Sequence, residues 1–294
     1  MLGTRDSTAS RITRLSLVIR SRAIRASVFT WSSLVGVLIT SKWDPAIIPL
    51  VLAPLSTFLI ALGVYILNDL FDSSVDEINR PELKAILRPQ RRDTFGLVVG
   101  LMSAGILIGY ALGHLTLLIS IAEVSVGALY SIRPFSLKDR FIVKTVSIGG
   151  GGVLANFFGG AAGGIIDPSL VFCSVMFLTF IFVTSPLNDL ADYPGDLEGR
   201  RKTIPIVIGP ENTIRLAMIL SVVPFIAAVV FFQYVQLNMF SIIILFAVSV
   251  RALQLIWPMR NSNGDLTVVK KNHRKMIVLH FILQGAIGLG VLAL

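Results

Sequence analysis

The chain of 294 residues is 54% hydrophobic and 15% charged, with a mean hydropathy of +0.79, where ordinary globular proteins carry roughly 25% charged residues. A water-soluble fold of that composition would expose large apolar patches, so the composition calls for a lipid bilayer as solvent. The single cysteine, Cys173, excludes an internal disulfide, and His114, His273 and His280 are scattered without zinc- or haem-ligand spacing.

The first 25 residues hold six Arg, no Lys and one acid, with Leu15, Val18 and Ile19 between the charges. This pattern predicts a basic amphipathic helix lying at the membrane surface. A mitochondrial transit peptide has a similar Arg- and Ser-rich look. No short cleavable apolar region stands apart from the first span, so no secretory signal is expected. A crossing helix needs about 20 mostly apolar residues, and nine such stretches follow in order: 26–41, 47–67, 95–113, 115–132, 142–163, 169–187, 213–232, 239–257 and 276–294. The third and fourth are parted by little more than Gly113 and His114.

Charge supports the count. With the N-terminus inside, 23 of the 26 basic residues fall in inside segments, Lys42 alone falls outside, and Arg215 and Arg251 lie within helices. That is the positive-inside bias of a multi-pass membrane protein. It accounts for most of the net charge of +9, so nucleic-acid binding is not expected. The expectation is an all-α bundle in one domain over 1–294, with the N-terminus on the cytoplasmic side and the C-terminus outside.

Nine of the 17 acids fall in two stretches, 68–82 and 188–198. They read Asn68-Asp69-Leu70-Phe71-Asp72-Ser73-Ser74-Val75-Asp76 and Asn188-Asp189-Leu190-Ala191-Asp192-Tyr193-Pro194-Gly195-Asp196, one pattern repeated at an offset of 120 residues. Each copy closes an inward-running span, the second and the sixth, so the repeat unit is four helices and the two copies are parallel. The bundle is then two four-helix repeats plus a ninth helix, with Asp-motif loops at 68–94 and 188–212 on the cytoplasmic side. A cation transporter, the main alternative from another class, would more often show inverted repeats and a midplane site.

Spacing supplies chemistry. Positions i and i+4 share a helix face, so Asn68, Asp72 and Asp76 form one stripe of oxygen ligands. Asn188, Asp192 and Asp196 form another, although Pro194-Gly195 should distort or end the helix there. Facing carboxylates repel one another, and a hard divalent cation such as Mg²⁺ relieves the repulsion while leaving positions for substrate phosphate. Basic residues rim both stripes: Arg22 and Arg25, Arg80 and Lys84, then Arg133, Lys138 and Lys144 with Tyr130, and Arg200, Arg201 and Lys202. The combination suits a metal-bridged diphosphate. Between Gly149 and Gly164, eight of 16 residues are Gly. This predicts tight helix packing, or room for a ligand chain with Ser147 or Asn156 touching the acceptor.

On these residues the chain resembles the UbiA superfamily of intramembrane prenyltransferases. The resemblance rests on Asn68, Asp72 and Asp76 in the first motif, Asp192 and Asp196 in the second, Ile78-Asn79-Arg80-Pro81-Glu82, Leu129-Tyr130-Ser131 with Arg133-Pro134, and Lys202-Thr203-Ile204-Pro205. It covers nearly the whole chain. One departure is Leu87-Arg88-Pro89-Gln90-Arg91-Arg92, where members often carry a proline-rich stretch. The resemblance implies two Mg²⁺, one on Asn68, Asp72 and Asp76 and one on Asp192 and Asp196, bridging a prenyl diphosphate donor. Arg22, Arg80, Lys84, Tyr130, Arg133, Lys138, Lys144, Ser147, Asn156 and Lys202 would contact diphosphate or acceptor. An aromatic quinone precursor such as 4-hydroxybenzoate is the acceptor expected first, and geranylgeranylglyceryl phosphate second. The membrane CDP-alcohol phosphotransferases also use Asp-rich helices, but their D-G-x-x-A-R element is missing here.

Overall fold

The computed structural model describes residues 3–71, 91–260 and 266–292, with side chains from residue 16 onward, and among the described residues every regular element is a helix. Helix α1 runs unbroken over Gly3–Thr40. The sequence predicted a surface helix followed by a separate span, but no Gly or Pro interrupts residues 4–35, so the basic segment and the first apolar stretch join. Val18 and Arg22 are already buried, and the apolar stretch long enough to cross a membrane begins at Ser16.

Helix α2, Ile47–Phe71, carries Asn68 and Asp69 in its last turn. Asp72, Asp76, Arg80 and Lys84, and most of the 68–94 loop, lie outside the described residues. Helices α3, Arg91–Leu112, and α4, His114–Ser131, are separate. Gly113 breaks them with a φ of 145°, a backbone region that favours glycine. After α4 a short 3-10 turn, Leu137–Asp139, buries Lys138 and leads into α5, Val143–Gly163.

Helix α6, Pro168–Ala191, starts on Asp167, whose carboxylate accepts the Leu170 N–H at 3.0 Å, a standard N-cap. It ends where Pro194-Gly195 was expected to end it: Asp192 is the C-cap, and a short helix α7, Tyr193–Glu198, restarts from it. The 188–212 segment, expected as a loop, is largely helical, continuing through α8, Ile204–Ile208. The seventh predicted span is two helices, α9 Pro210–Ser221 and α10 Val223–Phe231, with Pro224 at the start of the second. Helix α11 is Met239–Arg260 and α12 is Leu266–Gly290.

Among the described residues, seven stretches are long and apolar enough to cross a membrane: Ser16–Thr40, α2, α3, α4, α6, the α9–α10 pair and α11. Glycine lowers the mean hydropathy of α5. Lys270, Lys271, Arg274 and Lys275 do the same for the start of α12.

The glycines of α5 are mostly packing positions. Gly159 faces α1 so closely that an added Cβ would lie 1.8 Å from the Ser33 carbonyl oxygen, and one on Gly36 would lie 2.2 Å from that of Asn156. Thr40 Oγ1 donates to the Gly160 carbonyl at 3.0 Å across the same contact. Small residues at matched positions allow this approach in lipid. Gly159→Ala is therefore expected to force the helices apart and destabilise the protein by about 1–3 kcal/mol, the usual range for overpacking. Thermal unfolding in detergent, with Gly150→Ala as a control at a position with nothing within 4 Å, measures it. An equal melting point for both variants would contradict this packing. Trp31 and Trp43 donate from α1 to the carbonyls of Phe281 and Gly288 at 3.0 and 2.8 Å, holding α12 against α1.

Candidate active site

One end of the bundle encloses a cavity of about 250 Å³, walled by α1, α2, α4, α5, α6, α12, the 3-10 turn and Arg201. Its lining turns from charged to apolar with depth on α6, α1 and α5, while Thr57 on α2, Glu123 on α4 and His280 on α12 set polar groups deeper. On α6 the lining runs from Asp192 through Asp189 and Asn188 to Ser185, Thr184 and then Ile181. On α2 it runs from Asn68 through Tyr65 and Val64 to Ile60, on α1 from Arg22 and Arg25 to Val28 and Phe29, and on α5 from Lys144 through Ser147 to Ile148 and Gly151. A charged mouth above an apolar interior suits an amphiphile with an anionic head.

Each copy of the Asn-Asp-Leu repeat is locked by a base from the helix before it. Arg22 of α1 donates to both carboxylate oxygens of Asp69, through Nε at 2.6 Å and through Nη2. Lys144 of α5 donates to Asp189 at 2.6 Å, with Asp196 at 3.9 Å. Both aspartates are buried, so these pairs are structural parts of the mouth. The Asn residues beside them line the cavity: Asn68 accepts from Lys138 Nζ at 3.1 Å, and Asn188 donates to Asp192 Oδ2 at 3.3 Å.

The second stripe is not continuous. The helix breaks at Asp192, so Asn188 and Asp192 line the cavity while Asp196, one turn into α7, is buried beside it, paired to Arg201 at 3.4 Å. Burial, with Asp189 adding to it, raises the Asp196 carboxyl to about 6 against the opposing pull of Lys144 and Arg201. Three predicted contacts lie elsewhere. Arg133 is exposed just past the end of α4, off the cavity wall. Lys202 is exposed, its backbone N–H donating to the Asp139 carbonyl at 3.2 Å, and its neighbour Arg201 takes the cavity position. Asn156 is fully buried between α1 and α6, its Oδ1 4.0 Å from Cys173 Sγ. Its side chain is spent on packing because Gly36 and Gly159 bring α1 against that face. Arg22, Tyr130, Lys138, Lys144 and Ser147 all line the cavity.

Sequence reasoning missed Glu123, His273 and His280, which the structure brings to the same cavity. Glu123 is a lone acid in an apolar span, a signal that by itself marks a functional position. The two histidines are seven residues apart, two helical turns, which places them on one face of α12.

Among the described residues no three carboxylate, histidine or cysteine groups converge on a metal position. The donors at the mouth still fit a hard ion. They are oxygens only, from Asn68, Asn188 and Asp192, and the buried Asp189 Oδ2 and Asp196 Oδ2 have no hydrogen-bond partner. Asp189 is paired with Lys144 and Asp196 with Arg201, and Asp192 lines the cavity at the break after α6.

A sequence profile described as the UbiA prenyltransferase family matches residues 29–281. The digeranylgeranylglyceryl phosphate synthase of Sulfolobus acidocaldarius is 27% identical over 199 residues, 64% of this chain and 68% of that one. The protein of that name from Saccharolobus solfataricus is 27% identical over 229 residues, covering 74% and 76%. Among solved structures, one described as a digeranylgeranylglyceryl phosphate synthase superposes with a TM-score of 0.72 at 18% identity over 97% of this chain and 99% of that one. A UbiA homologue from Archaeoglobus fulgidus bound to GPP and Mg²⁺ superposes with a TM-score of 0.68 at 17% identity, covering 94% and 98%. The structural likenesses establish a shared fold.

Proposed function

Because this chain belongs to the UbiA prenyltransferase family, we propose that it is an intramembrane prenyltransferase that moves a geranylgeranyl group from its diphosphate to the hydroxyl of geranylgeranylglyceryl phosphate. The observation that carries this reading is the cavity's gradient from a cationic mouth to an apolar interior, which matches a diphosphate head and an isoprenoid tail. The family places the chain among prenyltransferases rather than cation transporters. The order of acceptors expected from sequence is reversed. The two curated relatives described above are named digeranylgeranylglyceryl phosphate synthase, which favours that acceptor over a quinone precursor. An acceptor that is itself a phosphate adds a second anion, and the mouth distributes cations over three elements through Arg25 on α1, Lys138 on the 3-10 turn and Arg201 after α7.

In this reading all nine predicted stretches cross the bilayer, with α5 and α12 added to the seven apolar spans, and the mouth faces the cytoplasm. Two tandem four-helix units are supported by the starts of α2 and α6, which agree within a residue after the 120-residue offset.

Asn68, Asn188, Asp192 and Asp196 would hold Mg²⁺, together with Asp72 and Asp76 from the segment outside the described residues. When bound, the ion neutralises charge on the leaving diphosphate. Arg25, Lys138 and Arg201 draw the diphosphate head to the mouth and stabilise the negative charge it gains as C1 departs. Tyr65, Val64, Ile60 and Phe29 surround the tail. By keeping water away they protect the allylic cation from hydrolysis until the acceptor reaches it.

The test is product formation by the full chain in nanodiscs, given geranylgeranyl diphosphate, Mg²⁺ and either geranylgeranylglyceryl phosphate or 4-hydroxybenzoate, read by mass spectrometry. Ether product that vanishes with EDTA and returns with Mg²⁺ is expected. Prenylated hydroxybenzoate alone would restore the aromatic acceptor, and no product from either would sink the transferase assignment.

A further inference from the structure

Resting on the hydroxyl-acceptor reading above, we infer that His280 is the general base of the transfer, its Nδ1 taking the proton that the acceptor hydroxyl loses as the new C–O bond forms. The inference starts from a hydrogen-bond count. Thr184 Oγ1 lies 3.2 Å from the Phe180 carbonyl oxygen one turn earlier on α6, and 2.9 Å from His280 Nε2. A hydroxyl has one proton. Assigning that proton to Phe180 leaves lone pairs facing Nε2, so that Nε2 carries the imidazole proton and Nδ1 is left bare; the opposite tautomer would reverse the roles of the two ring nitrogens. Nδ1 has no hydrogen-bond partner, although His280 is only 3% exposed. Buried polar atoms are rarely left unpaired without a reason.

The ring is also fixed. Its centroid lies 5.4 Å from that of Phe177 and 4.9 Å edge-on from that of Phe180. Its height in the cavity suits the chemistry. Thr184 is one turn, about 5.4 Å, deeper than Asn188. A donor whose diphosphate is held at Asn68, Asn188 and Asp192 would therefore bring C1 to the level of His280. Glu123, another buried polar group on the wall, lies two turns deeper than Tyr130 and stands beside the tail. Asp192 lies at the mouth among the groups that serve the diphosphate.

The step balances. The C1–O bond to diphosphate breaks, and its electron pair leaves with the diphosphate. An acceptor oxygen lone pair forms the new bond to C1, and the hydroxyl proton moves to Nδ1. The imidazolium returns that proton to water when the products leave.

The experiment compares wild type with His280→Gln in nanodiscs, using geranylgeranyl diphosphate, Mg²⁺ and geranylgeranylglyceryl phosphate. Gln keeps an N–H donor for Thr184 and lacks a basic lone pair. A base predicts that kcat falls about 10²- to 10³-fold, with KM for both substrates little changed and part of the rate restored by added imidazole. An unchanged kcat in His280→Gln, or a loss seen only in KM, overturns the proposal. A second readout needs no variant: in ¹⁵N-histidine-labelled wild type, the His280 shifts should report the Nε2–H tautomer, and an Nδ1–H tautomer overturns the proposal. If wild type itself prenylates no hydroxyl acceptor, the functional reading has failed, and the base falls with it for that separate reason.

Discussion

Replacing Asp192 by alanine is expected to lower kcat for prenyl transfer by about 10²- to 10³-fold, because it takes a carboxylate ligand from the cation that neutralises the leaving diphosphate, an effect comparable to losing one oxyanion donor. Asp192 caps α6 at the mouth of the cavity, where Asn188 donates to its Oδ2 at 3.3 Å. It is half-buried and lines the cavity, whereas Asp189 is buried and held by Lys144 at 2.6 Å. Its removal takes one negative ligand from the diphosphate end and leaves the apolar walls intact. Mg²⁺ dependence should therefore shift to higher concentration while the melting temperature changes little. A variant that keeps wild-type turnover at limiting Mg²⁺ would remove Asp192 from the site. The companion change Asn188→Ala should have a smaller effect in the same direction, because it removes a neutral oxygen and the hydrogen bond that orients Asp192.

The parts of this protein visible in its sequence are those written in local spacing. The duplicated Asn-Asp-Leu motif announced Asn68 and Asn188, and both line the cavity. Pro194-Gly195 announced the break after α6, since proline cannot continue the backbone ladder. The consequence for Asp196 follows from the break itself: the restart at Asp192 turns α7 away from the stripe and buries that carboxyl beside Arg201. What stayed hidden depends on which helices meet. The Arg22–Asp69 and Lys144–Asp189 pairs join residues 47 and 45 positions apart, and no helical period carries that information. The charge of Arg22 and Lys144 was visible in the sequence, and the buried aspartates they pair with were not. The histidines were lost for another reason. Lys270, Lys271, Arg274 and Lys275 moved the expected start of the last span to 276, whereas the helix begins at Leu266. His273 was thereby left in a loop, and the shared face with His280 disappeared.

Lys144→Met is expected to destabilise the folded protein by about 3–5 kcal/mol, the range for removing one partner of a buried ion pair. Lys144 Nζ sits between two aspartates, 2.6 Å from Asp189 and 3.9 Å from Asp196. Both carboxylates are buried, and the Oδ2 of each has no hydrogen-bond partner. With the ammonium gone, Asp189 has no counter-ion in contact and Asp196 retains only Arg201. Among the described residues, Arg201 is then left to oppose their mutual repulsion at the junction of α5, α6 and α7. Neutralising the surplus charge should reverse most of the loss, because replacing both members of a buried pair is often close to neutral. Lys144→Met combined with Asp189→Asn should therefore melt closer to wild type than Lys144→Met alone. Melting curves in detergent test this, and equal melting points for the single and double variants would show that packing of the lysine stem, not charge, holds the junction. The double variant also separates fold from catalysis. If Lys144 serves only the fold, the double variant regains activity along with stability; if its ammonium also steadies the diphosphate, it stays folded and turns over slowly.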